Sequence, residues 1–228
     1  MTRDGFDLLV YYLPDYDYAS HAAGPDSSHE ALERSDAAIG ALLDAAGGPE
    51  AFLERYAVLV CSDHGQSKVE HVARLDVGAD LVTASNRAAM VYTDEPRAIA
   101  EALDAEPAAG IVLFQEDGRV IARRDGDEDA ALLDAVPDGP ARAAAALANP
   151  NAGEVLVSAA PGWEFLDLAG RHHLGGGSHG SLEPEDSEVP MLTIGLGPPP
   201  ASITQAKAAI TRHFAVSGTP TEEMTATP

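Results

Sequence analysis

Residues 59–65 read LVCSDHG. An apolar run, residues 57–61, stops at a carboxylate, Asp63, and an imidazole, His64, with Gly65 directly behind them. The run has the length and composition of a buried strand. A strand that ends on an acid and a base side by side, before a residue free to turn sharply, is a rigid arm with ligands at its carboxyl end. Functional loops of open α/β sheets gather at that end.

Upstream, residues 6–13, FDLLVYYL, read as a second buried strand, broken by Pro14. A helix is expected next. Asp26 or Ser27 can cap it, Leu32, Ile39, Leu42 and Leu43 recur near helical spacing, and Gly47-Gly48 ends it. Strand, helix and strand in this order predict a βαβ unit, and so an α/β fold with a mostly parallel sheet flanked by helices. Residues 65–170 form a long excursion that includes a small inserted α+β region at about residues 85–150. Its signals are strands at 88–92 and 154–158, helices at 96–103 and 140–147, and a hairpin of 111–115 with 120–122 across Asp117-Gly118. A strand at 191–194 and a helix at 203–214 complete one domain over residues 1–216, and the Thr/Pro/Glu-rich tail, 217–228, is expected to be disordered.

The 228 residues carry 37 acidic and 14 basic side chains, a formal net charge of -23. Such an excess disfavours a nucleic-acid polymer or an anionic membrane as partner. It also means that a phosphate-bearing substrate needs local positive charge, which metal ions supply. One cysteine, Cys61, excludes an intrachain disulfide, and its place in an apolar strand predicts a small core residue. No signal peptide and no membrane segment is read, so a soluble cytoplasmic protein is expected.

Two further stretches present the same side-chain types as Asp63-His64. DYDYASHAAGP, residues 15–25, places Asp17 and His21 four apart in what reads as a loop after the first strand. RHHLGGGSHGSL, residues 171–182, places His179 in a glycine-rich turn behind His172 and His173. Aspartate and histidine from three separate loops suit zinc, and the carboxylates also admit manganese or other divalent ions.

In this order the motifs resemble the alkaline phosphatase superfamily, most closely its type I phosphodiesterase/nucleotide pyrophosphatase branch. The resemblance rests on Asp17, His21 and Gly24-Pro25, on Ser62 to Gly65, and on Gly177 to Gly180, and runs from residue 6 to about residue 216. It implies an alkaline-phosphatase-like fold and a metal-dependent phosphoric ester hydrolase acting on a small phosphate ester. Two divalent ions are implied, zinc by preference: Asp17, His21 and His179 would hold one, and Asp63 and His64 the second. His172 and His173 are candidates for contact with substrate phosphate.

The family's nucleophile, a Thr or Ser, and one more metal-binding Asp lie upstream of the Asp-x-x-x-His motif. Only Thr2, Asp4 and Asp7 of those residue types lie ahead of the apolar run that leads into it, and Thr83 and Ser85 stand in the wrong order. The expectation is therefore a fold incomplete at the N-terminus, with an incomplete second metal site, no assignable nucleophile and impaired turnover. Self-association through an unpaired strand, or a complementing N-terminal segment, is expected with it. Two other readings stay open: a non-catalytic metal- or partner-binding remnant, and another hydrolase of the superfamily such as a sulfatase-like or phosphoglycerate-mutase-like enzyme.

Overall fold

The computed structural model describes residues 6–216; Thr2, Asp4 and the tail 217–228 lie outside them. Among the described residues seven α-helices are formed: α1 (Asp15–Ala23), α2 (His29–Ala45), α3 (Pro49–Leu53), α4 (Pro96–Asp104), α5 (Gly139–Leu147), α6 (Pro184–Ser187) and α7 (Ala206–Val216). The twelve strands are β1 (Val58–Cys61), β2 (Ser67–Lys68), β3 (His71–Ala73), β4 (Leu81–Ser85), β5 (Ala88–Tyr92), β6 (Ala109–Glu116), β7 (Arg119–Arg124), β8 (Asp127–Glu128), β9 (Val155–Ala159), β10 (Trp163–Phe165), β11 (Gly177–Ser178) and β12 (Met191–Ile194). They fall into two compact units. Of the described residues, the first contains 6–10, 36–63 and 189–216; the second contains 11–35 and 64–188.

The second unit is built on a six-stranded sheet in the order β4-β5-β9-β6-β7-β8. Every neighbouring pair in it is antiparallel. The α/β class holds, but the expected mostly parallel sheet does not; among the described residues the one parallel pair is β3 with β10. The reason is physical. A central strand covered on both faces reads as an unbroken apolar run whichever way its neighbours point. In β6, Val112 and Phe114 face one core, with Val91, Val155 and Val157 and with Ile99, Ala100 and Leu103 of α4. Ile111 and Leu113 alternate to the opposite face, against Leu133, Val136 and Ala143. The β6–β7 hairpin turns on Asp117 and Gly118, both at positive φ (49° and 73°), as a two-residue hairpin loop requires.

Residues 6–13 form no strand. Their apolar side chains are open to solvent, Val10 at 81%, so the burial implied by their composition is not realised and the expected βαβ unit is not formed. In the first unit β1 pairs with β12, antiparallel, as a two-stranded ribbon. Cys61 ends β1 exposed and is no core residue, because a two-stranded ribbon leaves one face uncovered. Among the described residues no helix is long and apolar enough to cross a membrane.

The turn from β4 to β5 carries a buried arginine whose side chain makes three hydrogen bonds. Arg87 is 1% exposed. Its guanidinium donates to Asp186 Oδ1 at 2.8 Å, to the Trp163 carbonyl at 3.0 Å and to the Ala160 carbonyl at 3.1 Å. Asp186 also accepts from Ser67 Oγ at 2.5 Å, and from Ser181 N and Oγ at 2.9 and 2.7 Å. A buried charge is tolerated when it is paired and its remaining bonding positions are filled, and here both conditions hold.

Removing one member strands the other. Asp186→Asn should cost about 3–5 kcal/mol, whereas replacing Arg87 and Asp186 together by apolar residues of similar volume should cost much less. Urea unfolding followed by the fluorescence of the sole tryptophan, Trp163, measures both. An Asp186→Asn loss below about 1 kcal/mol would mean that the pair contributes no more than an exposed one.

Candidate metal centre

Asp17 and His21 lie on helix α1, where the sequence suggested a loop. Pro14 precedes the helix, and Gly24, at φ 88°, stops it ahead of Pro25. Asp15 and Asp17 occupy the first turn and His21 the last, an order that suits the helix dipole at both ends. The spacing of four sets Asp17 and His21 on one face, with His21 Nε2 3.5 Å from Asp17 Oδ1.

The glycine-rich segment lies directly on the last turn of α1. A Cβ at Gly176 would sit 2.0 Å from the His21 carbonyl oxygen. One at Gly177 would sit 2.7 Å from both Ser20 Oγ and Gln66 Oε1. Only glycine permits this approach, so the run serves contact rather than flexibility. Gly65 has the same cause: a Cβ there would meet the Glu185 carbonyl oxygen at 2.0 Å.

Asp17, His64 and His179 converge, with one ligand atom from each lying within 4.8 Å of the others. The His64 and His179 rings stack at 3.5 Å between centroids. His21 stands beside them, 5.2 Å from His179 and 4.2 Å from His173. The expected partition had put His64 with Asp63 and His21 with His179; the close trio instead takes His64, with His21 adjacent. Asp63 belongs to the first unit. His172 is exposed, and its Nδ1 accepts from Leu174 N within its own loop. His173 is held by Glu164 through Nδ1 at 2.6 Å.

The hydrogen bonds of the histidines select tautomers. His21 Nδ1 is 2.8 Å from the Gly177 carbonyl, and His64 Nδ1 is 3.0 Å from the Gly65 carbonyl. A carbonyl only accepts, so Nδ1 donates in both cases and the neutral rings carry their lone pairs at Nε2. Those Nε2 atoms lie 3.5 and 3.9 Å from the same carboxylate oxygen, Asp17 Oδ1. His179 Nε2 lies 3.2 Å from Asn86 Nδ2, so an ion bound through that nitrogen would displace the Asn86 amide. Backbone carbonyls that fix the far nitrogen are the usual support of a metal-ligating imidazole. Gln66 Nε2 donates to Asp17 Oδ1 at 2.6 Å and orients the carboxylate. This O,N,N donor set, with its supporting bonds, fits a divalent ion of the zinc type.

Four supporting residues carried no sequence signal that singled them out: Gln66, Asn86, Glu164 and Arg87. Gln66 lies two residues past His64, Asn86 and Arg87 form the β4–β5 turn, and Glu164 lies in β10. The one available clue was a charged residue, Glu164, inside a short aromatic strand.

Burial holds the His179 imidazole below the ordinary histidine value of 6.5, and the neighbouring His64 and His21 add to that. Its neutral form is therefore the native one. The sign follows: the unfolded chain takes up a proton near pH 6.5 that the native ring refuses, so this ring's contribution to stability is present above that pH and is lost as pH falls below it. In the metal-free protein the His179 ring signal should titrate below pH 6.5 by NMR, and His64→Ala should move the midpoint partly upward. A midpoint at or above 6.5 would contradict this account of its surroundings.

A search among curated proteins finds no match to this chain. A scan of protein-family profiles matches residues 2–182 to the type I phosphodiesterase / nucleotide pyrophosphatase family. That match spans the Asp17 helix, the Ser62 to Gly65 turn and the His179 loop, and the chain belongs to the type I phosphodiesterase / nucleotide pyrophosphatase family.

Proposed function

We propose that this protein is a metal-dependent phosphoric ester hydrolase of the phosphodiesterase/pyrophosphatase type, acting on a small phosphate-ester substrate. The observation that carries the reading is the convergence of Asp17, His64 and His179 from three distant stretches of chain, within one family whose members hydrolyse phosphate esters. Asp17, His64 and His179 would hold one divalent ion, with His21 at its side; by resemblance alone, Asp63 joins the ligands of a second. The ions would supply positive charge that offsets the charge of the phosphoryl group. That contribution suits a chain of net charge -23, which otherwise repels an anionic substrate.

The chain's own residues orient the ligands. Gln66 keeps the Asp17 carboxylate aimed, and the two glycine carbonyls keep His21 and His64 turned so that Nε2 faces inward. The reading assigns the ligands and assigns no nucleophile.

Two measurements test it. Zinc retained after dialysis should approach stoichiometric amounts for the 228-residue protein and fall sharply in His179→Ala and His64→Ala. Zinc-dependent turnover of an aryl phosphodiester is expected to be weak, since no nucleophile is assigned, and should fall further in the same variants, since each removes a ligand from the charge-stabilising centre. Zinc bound without turnover would leave a metal-binding protein and refute the hydrolase reading. Equal, negligible zinc in wild type and variants would refute the site itself.

A further inference from the structure

Glu164 is 1% exposed, among the most deeply buried carboxyl groups of the chain. Its bonds run to one segment only. Oε2 accepts from His173 N at 2.5 Å, and Oε1 accepts from His173 Nδ1 at 2.6 Å and from Ser178 Oγ at 2.9 Å. His173 and Ser178 are the two ends of the glycine-rich loop. Ser178 directly precedes His179, and the His173 ring lies 4.2 Å from His21.

From this geometry we infer that Glu164 is a positioning residue for the metal centre: it clamps both ends of the 173–178 loop, sets the tautomer of His173, and so delivers His179 to Asp17 and His64. The inference rests on the proposed metal function. A loop with glycines at 175–177 has little stiffness of its own. Its fixed shape needs bonds from outside, and a buried carboxylate with three donors is the strongest available. The carboxylate accepts only, so His173 Nδ1 carries the proton and its neutral ring keeps the lone pair at Nε2. Ser178 is fully buried, so its bond to Glu164 has no competition from water.

The chemistry of Glu164→Gln makes the inference testable. An amide nitrogen at the Oε2 position would face the His173 N–H, donor against donor. At the Oε1 position it would face Nδ1–H, unless the ring changes tautomer. Packing volume is unchanged, so a purely space-filling role for Glu164 predicts little effect. His173→Asn supplies the complementary test, because its side-chain amide N–H replaces Nδ1–H toward Glu164 while removing the imidazole.

The experiment uses the 228-residue protein with zinc as the probe, competed against a chromophoric chelator, and with melting recorded for every variant. Zinc affinity should fall about tenfold in Glu164→Gln and in His173→Ala, as for loss of a bond that orients a ligand. His173→Asn should stay close to wild type. Unchanged affinity in Glu164→Gln, or an equal loss in His173→Asn and His173→Ala, overturns the inference. If Glu164→Gln fails to fold, the two His173 variants decide. If wild type binds no zinc, the function proposed above fails separately, and amide exchange decides the clamp: protection over residues 174–179 should drop in Glu164→Gln, and unaltered protection overturns it.

Discussion

The second unit depends on one buried ion pair. Arg87 and Asp186 neutralise each other where a single charge could not stay. Through their other bonds they join the β4–β5 turn, the connection from β9 to β10, strand β2 and the stretch just after His179. The backbone of Arg87 continues the theme: its N–H donates to the His179 carbonyl at 3.1 Å, and its carbonyl accepts from Ala159 N at 2.9 Å. The sheet edge and the metal-ligand loop are thus fixed to each other by one residue. Asn86, directly before it in the chain, contacts the His179 ring. Apolar packing gives the sheet its bulk, but the polar knot at its edge gives the loop its place.

The candidate centre is made of short-range constraints rather than long side-chain reach. Helix α1 supplies Asp17 and His21 from one face, and the glycine segment touches that helix backbone to backbone. Carbonyls of the same close-packed glycines then fix the imidazole tautomers. The residues that allow close approach are therefore the residues that orient the ligands.

The sequence was legible wherever residue type and spacing carried the physics. Asp17, His64 and His179, which the fold brings together, stood out in the sequence by their ligand chemistry, and the Asp117-Gly118 hairpin and helices α2, α4 and α5 were identifiable from turn and periodicity rules. Strand direction was not legible, because an apolar run reports burial and says nothing about which way its partner points. Residues 6–13 misled for a related reason: strand composition does not supply a ladder partner. Helix α1 was hidden because its aspartates and tyrosines have weak helix propensity, which the local cap and contacts override. The supports, Gln66, Asn86, Arg87 and Glu164, belong to no spacing pattern. Each matters through a partner far away along the chain, and only a fold reveals such partners.

The wide spacing of the ligands along the chain also bears on how the second unit assembles. Asp17, His64 and His179 are brought together across two long loops, while the β6–β7 hairpin closes over two residues. Loop closure grows costlier with length, and contacts between remote positions form late in folding. The sheet can therefore organise early from local pairings, leaving the ligand trio among the last contacts to assemble. An ion captured there acts on the end of the folding path: it slows unfolding by latching the least local contacts, and leaves the early steps untouched.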